Sequence, residues 1–270
     1  MFEIPKLWAG SQESFDYLLI ALESAHQMVE SRAGSGDPFE LPPLVEVKDG
    51  VGIVAIKGPL VPGAAGFMRL FGVTGYADIQ EALVQAATNK SVKSIMLDVN
   101  SGGGAVDGAD ETSQFVAQMA AMKPVLTYAS GAMASAALWV GSAGTRRLAS
   151  QTSQVGSIGV VFTHMERSKQ LEKDGIGATI VRSGKYKALV NGIEPLNADA
   201  KAEMQSMVDD LNTIFENRVA SNLGVPVKKV HDKMGQGRMF LGVRALEAGL
   251  VDGIASGQLA FLTTKLLARG

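Results

Sequence analysis

The chain contains no cysteine. That excludes disulfides, thiolate nucleophiles and Cys-based zinc sites together, and it fits a reducing compartment. Histidine is scarce, with only His26, His164 and His231, too few for a histidine-rich metal site. No metal or cofactor is expected. A basic excess is also missing: 25 Lys and Arg stand against 27 Asp and Glu, for a formal net charge of −2. Nothing draws such a chain to phosphate backbones, so no nucleic-acid partner is expected. No apolar stretch approaches the ~20 residues of a membrane-spanning helix. The longest candidate, Ala132 to Val140, is cut off by Gly131 on one side and by Gly141 and Gly144 on the other. The opening MFEIPKLWAG lacks the basic run, apolar core and cleavage site of a leader. The expectation is a soluble, cytoplasmic protein.

What is present is globular. The 270 residues are 46% hydrophobic and 19% charged, enough for one large domain or two small ones. Residues 12–32 set Phe15, Leu18, Leu19 and Leu22 on one side at helical spacing, and AGSGDPFELPP follows with the composition of a linker. Residues 1–43 therefore read as a helical arm and linker, and 44–270 as the main domain. There, Asp49-Gly50 between two β-rich runs predicts a tight hairpin turn. A Gly/Pro segment from Gly58 to Gly75 carries Phe67, Met68, Leu70 and Phe71, apolar residues suited to closing on something. Helices at 76–88, 108–122, 134–142 and 199–222 alternate with strands at 94–99, 124–129, 158–162 and 178–182. The alternation predicts an α/β fold with a mostly parallel sheet and right-handed crossovers.

In such sheets function sits at the carboxyl ends of the strands. Two of these ends are unusual. Asn100-Ser101-Gly102-Gly103-Gly104 follows SIMLDV, and a glycine run there lets backbone N–H groups point at a ligand. It has neither the Lys-Ser/Thr of a Walker loop nor a dinucleotide fingerprint. An oxyanion site, a tight turn and a phosphate cradle all remain open. Ser135 opens a small-residue helix after PVLTYA, where a serine serves either as an N-cap or as a nucleophile. Local sequence does not separate the two. His164 follows an apolar strand and reads as structural, while His26 and His231 lie in helical patterns. Lys185 and Lys187, after ATIVR, read locally as solvated charge; a base would need its pKa lowered.

Taken in order, LDVNSGGGAV (97–106), ASGAMASAALWV (129–140), SQVGSIGVV (153–161), VRSGKYKALVNGIEP (181–195) and FLGVRALEAGLVDGI (240–254) resemble the signal peptide peptidase A family of Ser–Lys peptidases. The resemblance runs from about Val51 to Asp252. It implies a Clp/crotonase-like fold of repeated ββα units, and it implies roles for particular residues. Ser135 matches the nucleophile, Lys187 of Ser-Gly-x-x-Lys the general base, and Ser157 the serine that orients that lysine. Gly103 and Ala136 match the oxyanion hole, and Gly102, Gly104, Ala105 and Val106 the edge along which a polypeptide substrate adds as a strand. Small residues around Ser135 suggest small or apolar side chains in the substrate. Where the family usually has proline before the glycine pair, this chain has Gly102, which leaves the oxyanion register open by one residue. Lys185 is additional, and either lowers the pKa of Lys187 or faces solvent.

The resemblance further implies a homo-oligomeric ring, in some members with active sites completed across subunits. The segments 51–62 and 73–83 resemble the bacteriophage subgroup that processes capsid or scaffold proteins, which would place the chain in an assembling prohead. Residues 58–72 and the arm are candidate subunit contacts. Competing readings are a signal-peptide or quality-control peptidase of the same family, a Clp-type triad using His164, a non-catalytic assembly protein, and a crotonase-type CoA enzyme.

Overall fold

A computed structural model describes residues 6–31 and 40–268. The linker read at 33–43 and the start of the arm therefore lie largely outside the described residues. The strands are β1 (Leu7–Gly10), β2 (Glu46–Lys48), β3 (Val51–Lys57), β4 (Leu60–Val61), β5 (Thr74–Gly75), β6 (Ser94–Ser101), β7 (Gly103–Ala105), β8 (Val125–Ala134), β9 (Arg146–Ala149), β10 (Gln154–Gly156), β11 (Val161–Phe162), β12 (Met239–Leu241) and β13 (Gly253–Ile254). The α-helices are α1 (Gln12–Ser31), α2 (Tyr76–Thr88), α3 (Ala109–Met122), α4 (Ala136–Gly141), α5 (Ser168–Lys173), α6 (Ala198–Leu223), α7 (Val227–Lys229), α8 (Gly242–Ala248) and α9 (Gly257–Leu267). A 3₁₀ turn spans Gly66–Phe71.

The α/β class and the mostly parallel sheet hold. In the larger sheet, of order β12-β10-β8-β6-β3-β2 with β9 and β13 attached, β3, β6, β8, β9 and β10 run parallel. Only the edges β2 and β12 are antiparallel to their neighbours. Asp49 (φ 50°) and Gly50 (φ 83°) form the expected turn, with Lys48 opposite Val51. The strands are apolar throughout because both faces are covered: Val54, Ile56, Ile95, Leu97, Val99 and Val125 are all essentially buried. On one face Trp139 of α4 stacks on Phe215 of α6, centroids 4.2 Å apart and planes 6° from parallel. The Arg218 guanidinium grips Asp110 through Nε at 2.7 Å, and Trp139 Nε1 donates to the same carboxylate at 3.2 Å. Helices α3, α4 and α6 are thereby tied into one layer.

Three expectations need correction. β8 does not stop at Ala129 but continues through Ser130-Gly131 to Ala134. Asn100 Oδ1 accepts the Ala132 N–H at 2.9 Å and splints the strand across the register shift between Val99 and Ser101. The strand at 158–162 shrinks to Val161–Phe162. No strand forms at 178–182. The segment finds no partner edge, and Val181 is 95% exposed.

The N-terminal region is more than a helix. β1 enters a second sheet, β11-β1-β7-β4-β5, between β7 and β11 and antiparallel to both. Helix α1 then lays Leu18, Ala21 and Ala25 onto Val61, Ala65, Met68 and Val73. The apolar loop and the arm, both expected to seek an outside partner, thus cover one another.

Candidate active site

The site is built where three strands end side by side. β8 and β10 are parallel, with Ala134 opposite Gly156, so the residues that follow them, Ser135 and Ser157, emerge together. The Ser135 N–H donates to the Gly156 carbonyl at 2.8 Å and cross-links the two exits. Gly103, the first residue of β7, takes φ 93°, and a Cβ there would meet the Ala134 carbonyl oxygen at 2.9 Å. The glycine run therefore lies against the backbone that carries Ser135. Gly104 approaches the Leu60 backbone so closely that no side chain fits.

Ser135 stands at the N-cap position of α4, but its hydroxyl makes no capping bond. That removes the N-cap explanation left open by sequence. Its backbone is strained, at φ 54° and ψ −124°, a conformation costing about 1–3 kcal/mol for a non-glycine residue. Strained strand-to-helix turns of this kind present a serine hydroxyl clear of the backbone. Strain is concentrated here: of five non-glycine residues with positive φ among those described, Ser135, Ser157 and Gln236 line one cavity of about 370 Å³. Ser157 is held through its N–H, which donates to the Arg238 carbonyl at 2.6 Å.

The Ala136 N–H lies in the first turn of α4, where a helix has no internal acceptor to offer. The Gly103 N–H donates to Ser101 Oγ at 3.1 Å, and that hydroxyl donates onward to the Gly58 carbonyl. The edge of Gly102, Gly104, Ala105 and Val106, expected to receive a substrate strand, is covered by β1. Gly102 also faces the arm: a Cβ there would meet Ser11 Oγ at 2.7 Å and Ser14 Cβ at 3.0 Å.

Lys187 is not brought to this cavity within one chain. It is exposed, in a turn closed by its own N–H to the Gly184 carbonyl at 3.2 Å. Residues 163–196 mostly bond to themselves: Arg182 pairs with Glu194, Asn191 supports Glu194 at 2.9 Å, and the Arg167 N–H reaches the Gly192 carbonyl at 2.8 Å. Lys185 pairs with Asp199 at 3.1 Å, and that hydrogen bond raises its pKa above the usual lysine value. Neither does any histidine line the cavity. His26 pairs with Glu30, His231 Nδ1 lies 3.1 Å from the buried Glu216, and the buried His164 Nε2 has no partner among the described residues.

Sequence reasoning missed Gln205, Asp209 and Asn212 of α6, together with Gln236, Trp8 and Gly10, all of which line the cavity. The α6 residues look like an ordinary solvated helix face, so no local signal marked them. Gln236, between two glycines in a tight turn, carried a faint one.

Comparison with known proteins gives these residues a context. The head-tail preconnector protein GP5 of Enterobacteria phage P21 is 32% identical over 222 residues, covering 82% of this chain and 44% of its own length. The capsid assembly protease C of Escherichia phage lambda is 33% identical over 207 residues, covering 77% of this chain and 47% of its own. This chain thus spans about half the length of the curated relatives it matches. Among solved structures, a ClpP1 mutant from Listeria monocytogenes aligns with a TM-score of 0.48 at 12% identity, over 77% of this chain and 93% of that one. The sequence model of Peptidase family S49 matches residues 117–268, more than half of the chain and the part that carries Ser135, Ser157 and Lys187. The chain belongs to peptidase family S49.

Proposed function

We propose that this protein is a serine endopeptidase working through a Ser–Lys pair, and that its substrates are capsid or scaffold polypeptides of a bacteriophage head. The observation that carries the reading is Ser135: a non-capping serine in strained backbone, at a helix start, sharing a cavity with Ser157 in a family of peptidases. In the reaction, neutral Lys187 takes the Ser135 hydroxyl proton as Oγ attacks a peptide carbonyl. Ser157 orients the lysine. The oxyanion receives the Ala136 N–H and the Gly103 N–H, the latter exchanging Ser101 Oγ for the substrate oxygen; each such donor is worth about 3 kcal/mol in the transition state. The lysine then returns the proton to the leaving amine, and water releases the acyl group.

Because Lys187 is exposed in a single chain, the reading requires assembly to deliver it. Met165 (80% exposed), Val181 (95%) and Tyr186 (60%) on the same excursion are apolar surface suited to a neighbouring subunit. A homo-oligomer with sites completed by that excursion follows from this reading, as does residence in the assembling head.

The test is co-expression with the head proteins encoded beside this chain, followed by mass spectrometry of their termini. New termini are expected with the wild-type chain. They should vanish with Ser135→Ala and with Lys187→Ala, each costing on the order of 10⁴-fold or more. Cleavage surviving in the Lys187 variant rules out the mechanism. Cleavage of host exported proteins in place of head proteins rules out the substrate class.

A further inference from the structure

The strand position beside the nucleophile is already taken by the chain itself. β1 lies between β7 and β11, with Trp8 opposite Ala105, Ala9 opposite Gly104 and Gly10 opposite Gly103. The Ser11 N–H donates to the Gly102 carbonyl at 2.8 Å, and the Val106 N–H reaches the Leu7 carbonyl at 3.5 Å. Those two contacts fix the phase of the ladder: 7/106, 9/104 and 11/102 are hydrogen-bonded pairs, 8/105 and 10/103 the closer non-bonded ones. The seat is a built one. Trp8 is 4% exposed and Ala9 is wholly buried, and Ser14 Oγ donates to the Gly103 carbonyl at 2.9 Å. Trp8 and Gly10 line the same cavity as Ser135 and Ser157. A Cβ on Gly103 would meet Gly10 Cα at 2.9 Å and the Ala134 carbonyl oxygen at 2.9 Å, so Gly10 passes directly beside the backbone leading into Ser135.

Strand addition to a sheet edge is a general way of binding an extended peptide: main-chain bonds supply affinity and alternate side chains supply selectivity. We infer that residues 7–11 are a tethered, displaceable occupant of the substrate-strand seat, and that an incoming polypeptide must evict them. The inference rests on reading Ser135 as the nucleophile. It goes beyond that reading by naming the occupant and what the emptied seat selects. The register assigns an extended apolar segment with a residue as small as glycine opposite Gly103, a small buried one before it, and a bulky aromatic one before that, as in Leu7-Trp8-Ala9-Gly10. Past Gly10 the chain is not extended. Ser11 Oγ accepts the Ser14 N–H at 3.1 Å and the chain turns into α1, so the occupant is extended on one side only, as an inhibitor held in place would be. A tethered strand competes at the high effective concentration of an intramolecular ligand, and apparent affinity for anything else falls with the fraction of open seats.

The test is a reversible lock on the full chain, which has no cysteine of its own. Trp8→Cys and Ala105→Cys place thiols at a non-bonded antiparallel pair, where Cβ atoms are closest. Ser135→Ala is added so that nothing can be cleaved. Binding of the fluorescent synthetic peptide Lys-Leu-Trp-Ala-Gly-Ser is then measured before and after reduction. The oxidised chain, whose strand is held as in the native fold, should not bind, and reduction should tighten binding by at least about tenfold. As a second arm, Ser14→Ala removes the bond from α1 to the Gly103 carbonyl, which holds the tethered strand and which the free peptide does not make, and should raise binding with no lock present. Equal binding in the oxidised and reduced forms overturns the proposal, as does no binding in either. Because Ser135 is absent throughout, these outcomes are independent of catalysis; failure of the head-protein cleavage test would remove the peptidase reading and leave the binding result standing.

Discussion

Two parts of the molecule hold the residues assigned to one reaction, and they are built differently. The strand ends at 99–106, 129–136 and 154–158 are mostly buried, cross-linked by backbone bonds and braced from behind by the Trp139–Phe215 stack. The excursion at 163–196 has one short helix, α5, and apolar side chains facing solvent. The first region tolerates strain at Ser135 and Ser157 because its surroundings over-determine the backbone. The second has no such packed surroundings, and carries Lys187 in an exposed turn. Under the proposed mechanism, a nucleophile finished within one chain and a base left outside its cavity would make activity conditional on assembly.

The largest effect that could break this contrast is complementation. Ser135→Ala and Lys187→Ala chains, each inactive, are unfolded and refolded together. If the lysine comes from a neighbour, the mixture should recover about one quarter of wild-type cleavage, since random assembly makes about one interface in four intact. A mixture as inactive as its parents would return Lys187 to its own subunit and leave assembly a supporting role.

A smaller effect sharpens the contrast in stability. Trp139→Ala empties a buried position and should cost about 3–5 kcal/mol in urea unfolding, whereas Val181→Ala, on bare surface, should stay within about 0.5 kcal/mol. Equal losses would mean that the excursion is packed as firmly as the strand ends.

The smallest effect concerns acid. Burial works against ionisation of Asp110, but hydrogen bonds from Arg218, Gln114 and Trp139 outweigh it and hold the carboxyl below its usual value. Asp110 therefore binds its proton less tightly when folded. Its contribution is complete above the unfolded value of about 3.9 and is lost as pH falls through the lower folded one. Asp110→Asn should flatten the acid limb of a thermal-stability profile below about pH 4. Glu194, shifted down by Arg182 and Asn191 but on the exposed excursion, should leave that limb in place when changed to Gln. An acid limb that moves with Glu194 instead would reverse the assignment of which region is rigid.

What was legible locally in the candidate site is its close-packed backbone; the roles of its residues came only from the family resemblance. The glycine run after SIMLDV and the small residues around Ser135 announce a backbone that must come close to something. What stayed illegible depends on distance. The strand read at 178–182 has the right residues but no partner edge, and β-propensity without an edge yields no strand. β1 gave no alternating pattern in four residues, and its partners are remote: Trp8 lies opposite Ala105 on one side and Val161 on the other.

By itself the sequence determined the hairpin at Asp49-Gly50 and the parallel strands of the larger sheet, since turn chemistry and apolar runs act over a few neighbouring residues. Only the tertiary structure decided that the hydroxyl of Ser135 does not cap its helix, that Lys187 stands apart from it in a single chain, and that the N-terminal strand fills the edge beside it. Those outcomes turn on which edges and surfaces meet, and pairing energy between remote segments exists only once the rest of the fold has brought them together.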